Sequence, residues 1–195
     1  MSKEINGVPF SMGNKKLPKT TAIFNMGTAK DCPSKTLGLC QCEGVCYARK
    51  SEICYKFVIP FRERQRDAFI SKSADKIADA IIKGGTIKNP IKQFRFSEAG
   101  DFVDQKAVNK MTGVCKVLKE NGIDSYGYTA RKDLNLTGLQ KVATVQGSGF
   151  MATNNFKFIP KGSTTETCDK VCAGDCRICN LCWKGKGLVI GVPQH

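Results

Sequence analysis

Short apolar runs are spaced along the chain, and the segments between them carry apolar residues at helical intervals. Runs in which apolar residues are continuous or alternate with polar ones predict strands at residues 21–26, at the beginning of 93–102, and at 125–131, 141–149, 156–160 and 187–193. Residues 44–83 are predicted to be mainly helical, divided at Pro60 and ended by Gly84-Gly85. The helical spacing there is carried by Phe69, Ile70, Ile77 and Ile81.

A further helix is predicted after Asp104, whose carboxylate suits an N-cap position. The apolar face of this helix consists of Val108, Met111, Cys115 and Leu118. Strands and helices therefore alternate, except that any helix between the strands near 142 and 156 is missing or very short. This order predicts an α/β fold, a small incomplete (β/α) barrel-like domain with cysteine-rich loops. In such folds the loops at the carboxyl ends of the strands build the functional site.

The length of 195 residues and the apolar content of 41% suit one domain with a core of its own. Residues 1–19 are polar and basic and are predicted to be a flexible N-terminal segment, followed by a single α/β domain over residues 20–195. No apolar run has the length of a signal-peptide core or of a membrane span. We therefore expect a soluble cytoplasmic protein.

Eleven cysteines are present, and in a reducing cytoplasm this density indicates metal binding rather than disulfides. Five of them follow the spacing C-x3-C-x3-C-x2-C-x2-C, at Cys168, Cys172, Cys176, Cys179 and Cys182. The continuous ladder of the last three is typical of iron–sulfur ligation, with Cys172 or Cys168 as the fourth ligand. Structural zinc is the alternative, and disulfides or free thiols are a third interpretation.

A second cysteine group follows the first predicted strand, at Cys32, Cys40, Cys42 and Cys46. Because one residue separates Cys40 from Cys42, the two are not expected to bind corners of the same cubane. Three ligands remain: Cys32, one of Cys40 and Cys42, and Cys46. Three thiolates leave one iron of a [4Fe–4S] cluster open, as reactive metal sites do. One or two clusters are therefore expected, or a single metal centre shared by both groups.

Charged and polar residues follow the predicted strands and would line the mouth of the barrel. Glu98, Asp101 and Arg131 are catalytic candidates, and Arg95 and Thr129 are candidates for cofactor binding beside Cys32, Cys42 and Cys46. Salt bridges at the strand ends are the structural alternative for Arg95, Glu98 and Arg131. The sole histidine is His195, so a Ser/His/Asp or Cys/His triad and a histidine-rich zinc hydrolase are excluded.

The formal net charge is +14, from 31 Lys and Arg against 17 Asp and Glu. A basic balance of this size favours an anionic partner, most often nucleic acid. A solvated lysine-rich surface without a specific partner is the alternative.

Several motifs, in their order, resemble the phage "gene product 88" family. They are LPKTTAIFNM, the cysteine loop that ends in CYA at Cys46-Tyr47-Ala48, FRFSEAGDF, SYGYTAR and the terminal C-x2-C-x2-CW. The loop is also distantly similar to that of radical-SAM-like phage proteins. Those resemblances imply a partial (β/α) barrel, a three-cysteine cluster after the first strand, S-adenosylmethionine as a candidate cofactor and the host cell cytoplasm as the location. The loop spacing here, C-x7-C-x1-C-x3-C, departs from the usual C-x3-C-x2-C of radical SAM enzymes.

Three functions remain open from the sequence. The first is an iron–sulfur protein that binds or processes nucleic acid. The second is a redox or radical-SAM-like enzyme with an open-iron cluster in the first cysteine loop. The third is a zinc-stabilised interaction protein without catalysis.

Overall fold

The computed structural model describes residues 2–42 and 44–194. Its strands are β1 (Ser2–Ile5), β2 (Val8–Met12), β3 (Thr21–Phe24), β4 (Gln93–Phe96), β5 (Asp124–Thr129), β6 (Thr144–Ser148), β7 (Asn154–Ile159), β8 (Lys170–Val171) and β9 (Val189–Pro193). Its helices are α1 (Pro33–Thr36), α2 (Tyr47–Cys54), α3 (Val58–Ser71), α4 (Ala74–Lys83), α5 (Gln105–Glu120), α6 (Thr137–Gln140) and α7 (Leu181–Lys184).

All nine strands belong to one open sheet in the order β1-β2-β3-β4-β5-β6-β7-β9-β8. The strands from β3 onward pair in parallel, whereas β1, β2 and β3 pair antiparallel. The prediction of an α/β fold is confirmed, and β3 to β7 are neighbours in chain order. Residues 149–153, all of them described, connect β6 to β7 without a helix, as the sequence indicates.

The two faces of the sheet are covered by different parts of the chain, because successive strand residues point to opposite faces. Phe24 and Phe96, adjacent across β3 and β4, face the helices and join the main core with Ile77 of α4 and Met111 of α5. Asp104 caps α5 by accepting a hydrogen bond from the backbone of Ala107 at 2.8 Å. The four predicted apolar positions of this helix are all buried.

The N-terminal segment is ordered into the sheet, and the prediction of a flexible segment over residues 1–19 is wrong for residues 2–12. Asn6 and Gly7 have positive φ values of 54° and 71° at the turn between β1 and β2, which is the Asn-Gly signature of a hairpin. Val8 and Phe10 are 0% exposed and pack into the main core. Burial of these two side chains fixes the hairpin against α3 and α4.

Three helices, rather than two divided at Pro60, occupy the predicted helical region. Pro60 lies in the first turn of α3, where no intrahelical partner exists for a backbone N–H, so a proline does not break the helix. The breaks fall at residues 55–57 and at Ser73, whose side chain caps α4. Ile70 is exposed and does not share the buried face of Ile77. No helix of the described residues is long and apolar enough to cross a membrane.

Candidate functional site

The second face of the sheet, opposite the helices, is covered by the cysteine-rich tail. Ile23 and Tyr126 are 1% exposed on this face, and Arg95 lies between them in the strand register. Cys176 and Cys182 pack against the apolar cluster formed there. The tail therefore replaces the helical layer that a doubly covered α/β sheet carries on its second face.

Side chains of β6 hold the tail on the sheet through its backbone. Gln146 Nε2 donates to the carbonyl of Cys182 at 2.8 Å, and Thr144 Oγ1 donates to the carbonyl of Trp183 at 3.1 Å. The indole of Trp183 packs on the ring of Tyr126, with centroids 5.5 Å apart. These contacts fix α7, and with it the last cysteine of the ladder, above the middle of the sheet.

In the tail, Cys176 lies within electrostatic range of Cys172 and Cys179, and Cys182 lies within range of Cys176 and Cys172. Burial raises the pKa of Cys176, and the neighbouring thiols of Cys172 and Cys179 raise it further. Burial also raises the pKa of Cys182 to about 11, and Cys176 and Cys172 add to the shift. The backbone of Cys176 donates to the carbonyl of Lys16 at 2.9 Å, which ties the centre of the group to the loop before β3.

Arg95 interacts electrostatically with both Cys176 and Cys182. Its charge lowers the pKa of Cys176 and of Cys182, against the larger effect of burial. Its guanidinium lies over the ring of Tyr128, 5.1 Å from the centroid, and Tyr128 donates its hydroxyl proton to Cys182 Sγ at 3.1 Å. A charge and a hydrogen-bond donor are thus aimed at the sulfur atoms, which stabilises negative charge on them.

Arg95 also connects the two cysteine groups. Its Nη2 donates to the hydroxyl of Tyr47 at 3.1 Å, and Tyr47 follows Cys46 of the first cysteine loop directly. The Tyr47 hydroxyl in turn donates to the carbonyl of Glu98 at 3.0 Å, while Arg95 Nη1 lies 3.4 Å from Glu98 Oε1. The predicted pair of Arg95 and Glu98 therefore forms a salt bridge at the end of β4.

The buried polar atoms on this face that have no hydrogen-bond partner among the described residues include Arg95 Nε, Tyr126 Oη and Gln146 Oε1. A buried polar group without a partner is costly and calls for an explanation such as a bound group. The hydroxyl of Tyr126 lies in electrostatic range of both Cys176 and Cys182. The orphaned atoms and the thiols thus surround the same part of the sheet.

The first cysteine loop lies at the carboxyl ends of the parallel strands. The thiols of Cys42 and Cys40 share a hydrogen bond, which raises the pKa of Cys42 together with burial and the nearby Cys46. Burial raises the pKa of Cys32 to about 12, with smaller contributions from Asp101 and Cys40. All four predicted cysteines of this loop are therefore close neighbours.

The same loop closes over the end of β6 at Gly149. This glycine has a φ of 78°, and a Cβ there would lie 2.0 Å from Gln41 Nε2. The end of the Gln41 side chain could move to admit a Cβ, but the positive φ would strain any residue other than glycine at this position.

Asp101 and its partners form a hydrogen-bond centre that joins three loops. Its carboxylate accepts from Thr129 Oγ1 at 2.7 Å, from the backbone N–H groups of Ala130 and Phe102 at 2.8 Å each, and from the hydroxyl of Ser34. Burial raises the pKa of Asp101, and the four hydrogen bonds act in the opposite direction. All four oxygen contacts are made within the chain, so Asp101 and Thr129 position the loops.

Arg131 is engaged with the chain in the same way. Its guanidinium forms a bidentate pair with Asp133, at 2.8 and 2.9 Å, and also donates to the carbonyls of Phe102 and Val103. The salt-bridge interpretation therefore accounts for the contacts of Arg131.

The remaining cysteines stand apart from the two groups. Cys168 Sγ lies against Gly191, where a Cβ would approach it to 2.8 Å. Cys115 is fully buried in the main core, as predicted, and Cys54 is exposed. None of the eleven cysteines, all in the described ranges, forms a disulfide. His195 lies outside the described residues.

Over residues 2–42 and 44–194, no group of three or more His, Cys, Asp or Glu side chains is arranged to hold a metal ion. No protein family, curated protein or solved structure gives a significant match to this chain.

Three tyrosines to which no role was assigned from the sequence complete this site: Tyr47, Tyr126 and Tyr128. A signal for two of them is present in the sequence. Tyr126 and Tyr128 alternate with small residues in β5, as Arg95 alternates with phenylalanines in β4. Period-two alternation of this kind places the tyrosines and Arg95 on one face of the sheet.

Proposed function

We propose that this chain binds a [4Fe–4S] cluster through Cys172, Cys176, Cys179 and Cys182, on the sheet face opposite the helices. The observation that carries the proposal is the packing of Cys176 and Cys182 beside Arg95 on this face, with Cys172 and Cys179 near Cys176. Iron–sulfur ligation requires thiolates, and a cation at the thiolates offsets their negative charge. The resemblance to the phage "gene product 88" family remains a prediction that agrees with this proposal.

The surrounding residues suit such a group. Arg95 Nε and Tyr126 Oη are hydrogen-bond donors without an acceptor among the described residues. The sulfur atoms of a cluster could accept hydrogen bonds from them. Trp183 of the tail packs on Tyr126 of β5 beside the site, and limited access of water protects a cluster. When bound, a [4Fe–4S] cluster supplies one-electron transfer. Arg95 places a positive charge near the Cys182 sulfur, and the Tyr128 hydroxyl donates a hydrogen bond to it. Both would favour the reduced, more negative state of a bound cluster.

The test is the iron, zinc and acid-labile sulfide content of protein purified without oxygen, together with its visible absorption spectrum. We expect about four iron and four sulfide per chain for each cluster. Cys176→Ser should remove one cluster's worth of iron, whereas Cys54→Ser, which changes an exposed thiol outside both groups, should leave the iron unchanged. Zinc without sulfide would favour the zinc-stabilised interaction protein, and iron unchanged in Cys176→Ser would place the cluster elsewhere.

A second candidate is a radical-SAM-like enzyme with an open-iron cluster held by Cys32, Cys42 and Cys46. The observation that favours it is the position of this loop at the carboxyl ends of parallel strands, where α/β folds build reactive sites. Because Arg95 reaches both Tyr47 and the tail, a cofactor at the loop and a cluster at the tail would share one cation.

This candidate predicts that the anaerobic protein, treated with a chemical reductant and S-adenosylmethionine, forms 5′-deoxyadenosine. Cys42→Ser should abolish the product by removing a ligand, while Cys54→Ser should retain it. Protein that holds a full complement of iron and forms no 5′-deoxyadenosine would refute the enzyme and leave the tail cluster untouched.

A further inference from the structure

An exposed apolar patch lies at the end of α2 and on its connection to α3. Ile53 is 72% exposed, Tyr55 55% and Phe57 72%. The rings of Tyr55 and Phe57 are neighbours, with centroids 5.8 Å apart and planes inclined by 34°. Contiguous apolar side chains at this level of exposure mark binding surfaces. We call this segment, residues 49–57, the aromatic–basic surface.

The exposed charges around these rings are positive. Lys50 and Lys56 are exposed, whereas Arg49 lies 3.5 Å from the buried carboxylate of Glu52. The one acid between residues 44 and 62 is Glu52, whose side chain is 0% exposed and paired with Arg62 at 2.8 Å. The exposed charges of the segment are therefore all basic, in a chain with a formal net charge of +14.

We propose that the aromatic–basic surface binds single-stranded nucleic acid, with bases stacked on Tyr55 and Phe57 and the backbone phosphates paired with Lys50 and Lys56. Stacking rings between cations are the recurring solution for unpaired strands, because every base has an aromatic face and every nucleotide a phosphate. A duplex hides those faces, so the surface selects single strands. The proposal concerns a site separate from the cysteines and does not depend on a cluster.

The first test measures anisotropy of a fluorescein-labelled twenty-nucleotide oligo(dT), and of the matching oligo(rU), with the full-length protein. Tyr55→Ala combined with Phe57→Ala should weaken binding on the order of 30-fold, since each stacked ring contributes substantially. Ile70→Ala combined with Ile87→Ala changes two other exposed apolar residues and should stay within about twofold. Tighter binding of one of the two strands would identify DNA or RNA as the ligand.

The variant Tyr55→Leu with Phe57→Leu separates stacking from apolar contact. It keeps apolar side chains on the surface and removes the rings, so it should bind as weakly as the double alanine variant. Circular dichroism verifies that each variant keeps the helices of the parent. Wild-type affinity in the leucine variant would overturn the proposal, as would equal affinity for a duplex of the same length.

Salt dependence tests the cationic part of the proposal. Lys50→Gln with Lys56→Gln should reduce the slope of log K against log salt by about 1.4, from about 0.7 for each phosphate contact with a single strand. Lys76→Gln with Lys106→Gln removes two exposed charges on other helices and should leave the slope unchanged. Equal slopes in both variants would overturn the assignment of the phosphates.

Two further measurements address other occupants of the surface. In sedimentation experiments without oligonucleotide, the protein should not self-associate through these rings, so the wild type and the double alanine variant should sediment alike. Vesicles containing anionic lipid should not bind through Tyr55 and Phe57. Self-association or vesicle binding that depends on these rings, without oligonucleotide binding, would overturn the proposal.

Discussion

Asp101→Ala should lower the free energy of unfolding by roughly 4 kcal/mol. The substitution leaves four donors without their acceptor, namely the hydroxyls of Ser34 and Thr129 and the N–H groups of Ala130 and Phe102. Each buried donor that stays unsatisfied costs about 1–3 kcal/mol, and water entering the cavity recovers part of the total. Urea unfolding followed by circular dichroism measures the change.

A control on the surface distinguishes this effect from the loss of any carboxylate. Asp79 and Lys83 form an exposed pair on the outer face of α4, with 2.8 Å between their charged atoms. Asp79→Ala should therefore lower the free energy of unfolding by less than about 1 kcal/mol. Asp101→Asn keeps the shape but turns a donor toward other donors, and it should fall between the two. If Asp101→Ala unfolds at the same urea concentration as the wild type, the carboxylate does not hold the loops, and the catalytic interpretation of Asp101 would regain support.

Arg62→Ala should destabilise the protein by about 3 kcal/mol, because it leaves the buried carboxylate of Glu52 with only the partly exposed Arg49, 3.5 Å away, as a cation. Glu52 accepts from Arg62 Nη1 at 2.8 Å and from the backbone of Ala29 at 2.6 Å. Arg62 also donates to the carbonyl of Ala48 at 3.0 Å. The pair therefore joins the two chain segments that enter and leave the first cysteine loop.

The double variant Glu52→Gln with Arg62→Met tests the pairing itself. If the two side chains interact as described, the double variant should be more stable than the sum of the single changes implies, by about 0.5–3 kcal/mol. Arg66→Ala on the same helix removes an exposed pair with Asp67 and should cost less than about 1 kcal/mol. Additive single effects, or an Arg62→Ala change no larger than that of Arg66→Ala, would contradict a buried pair.

The sequence predicts β3 to β7, β9 and α5 well, because each has a continuous or periodic apolar pattern. The break predicted at Pro60 is wrong, because a proline is tolerated in the first turn of a helix. The sequence does not show that α3 begins just before Pro60. The hairpin at β1 and β2 is missed although Asn6-Gly7 signals it, because the polar residues around it hide the alternation of Val8 and Phe10.

The spacing of the cysteines is enough to identify the two groups, but it does not predict which other residues contact them. Spacing cannot show that the tail crosses the sheet face that carries Arg95, since Gln146 and Tyr128, which hold the tail, are remote from it in the chain. Nor does it show that Asp101 has all its contacts inside the protein. A carboxylate after a strand looks the same in the sequence whether it faces a substrate or four donors of its own chain.

The position of the tail on the second sheet face has a consequence for synthesis on the ribosome. Ile23, Arg95 and Tyr126 emerge well before Cys176 and Cys182, so the strands can pair while this face is still uncovered. At roughly 5–20 residues per second the interval lasts several seconds. During that time the exposed face is a target for chaperones, and if the tail binds the proposed cluster, delivery of its iron has to follow the synthesis of residues 172–182. A nascent chain stalled before Cys172 should therefore carry no iron at this face.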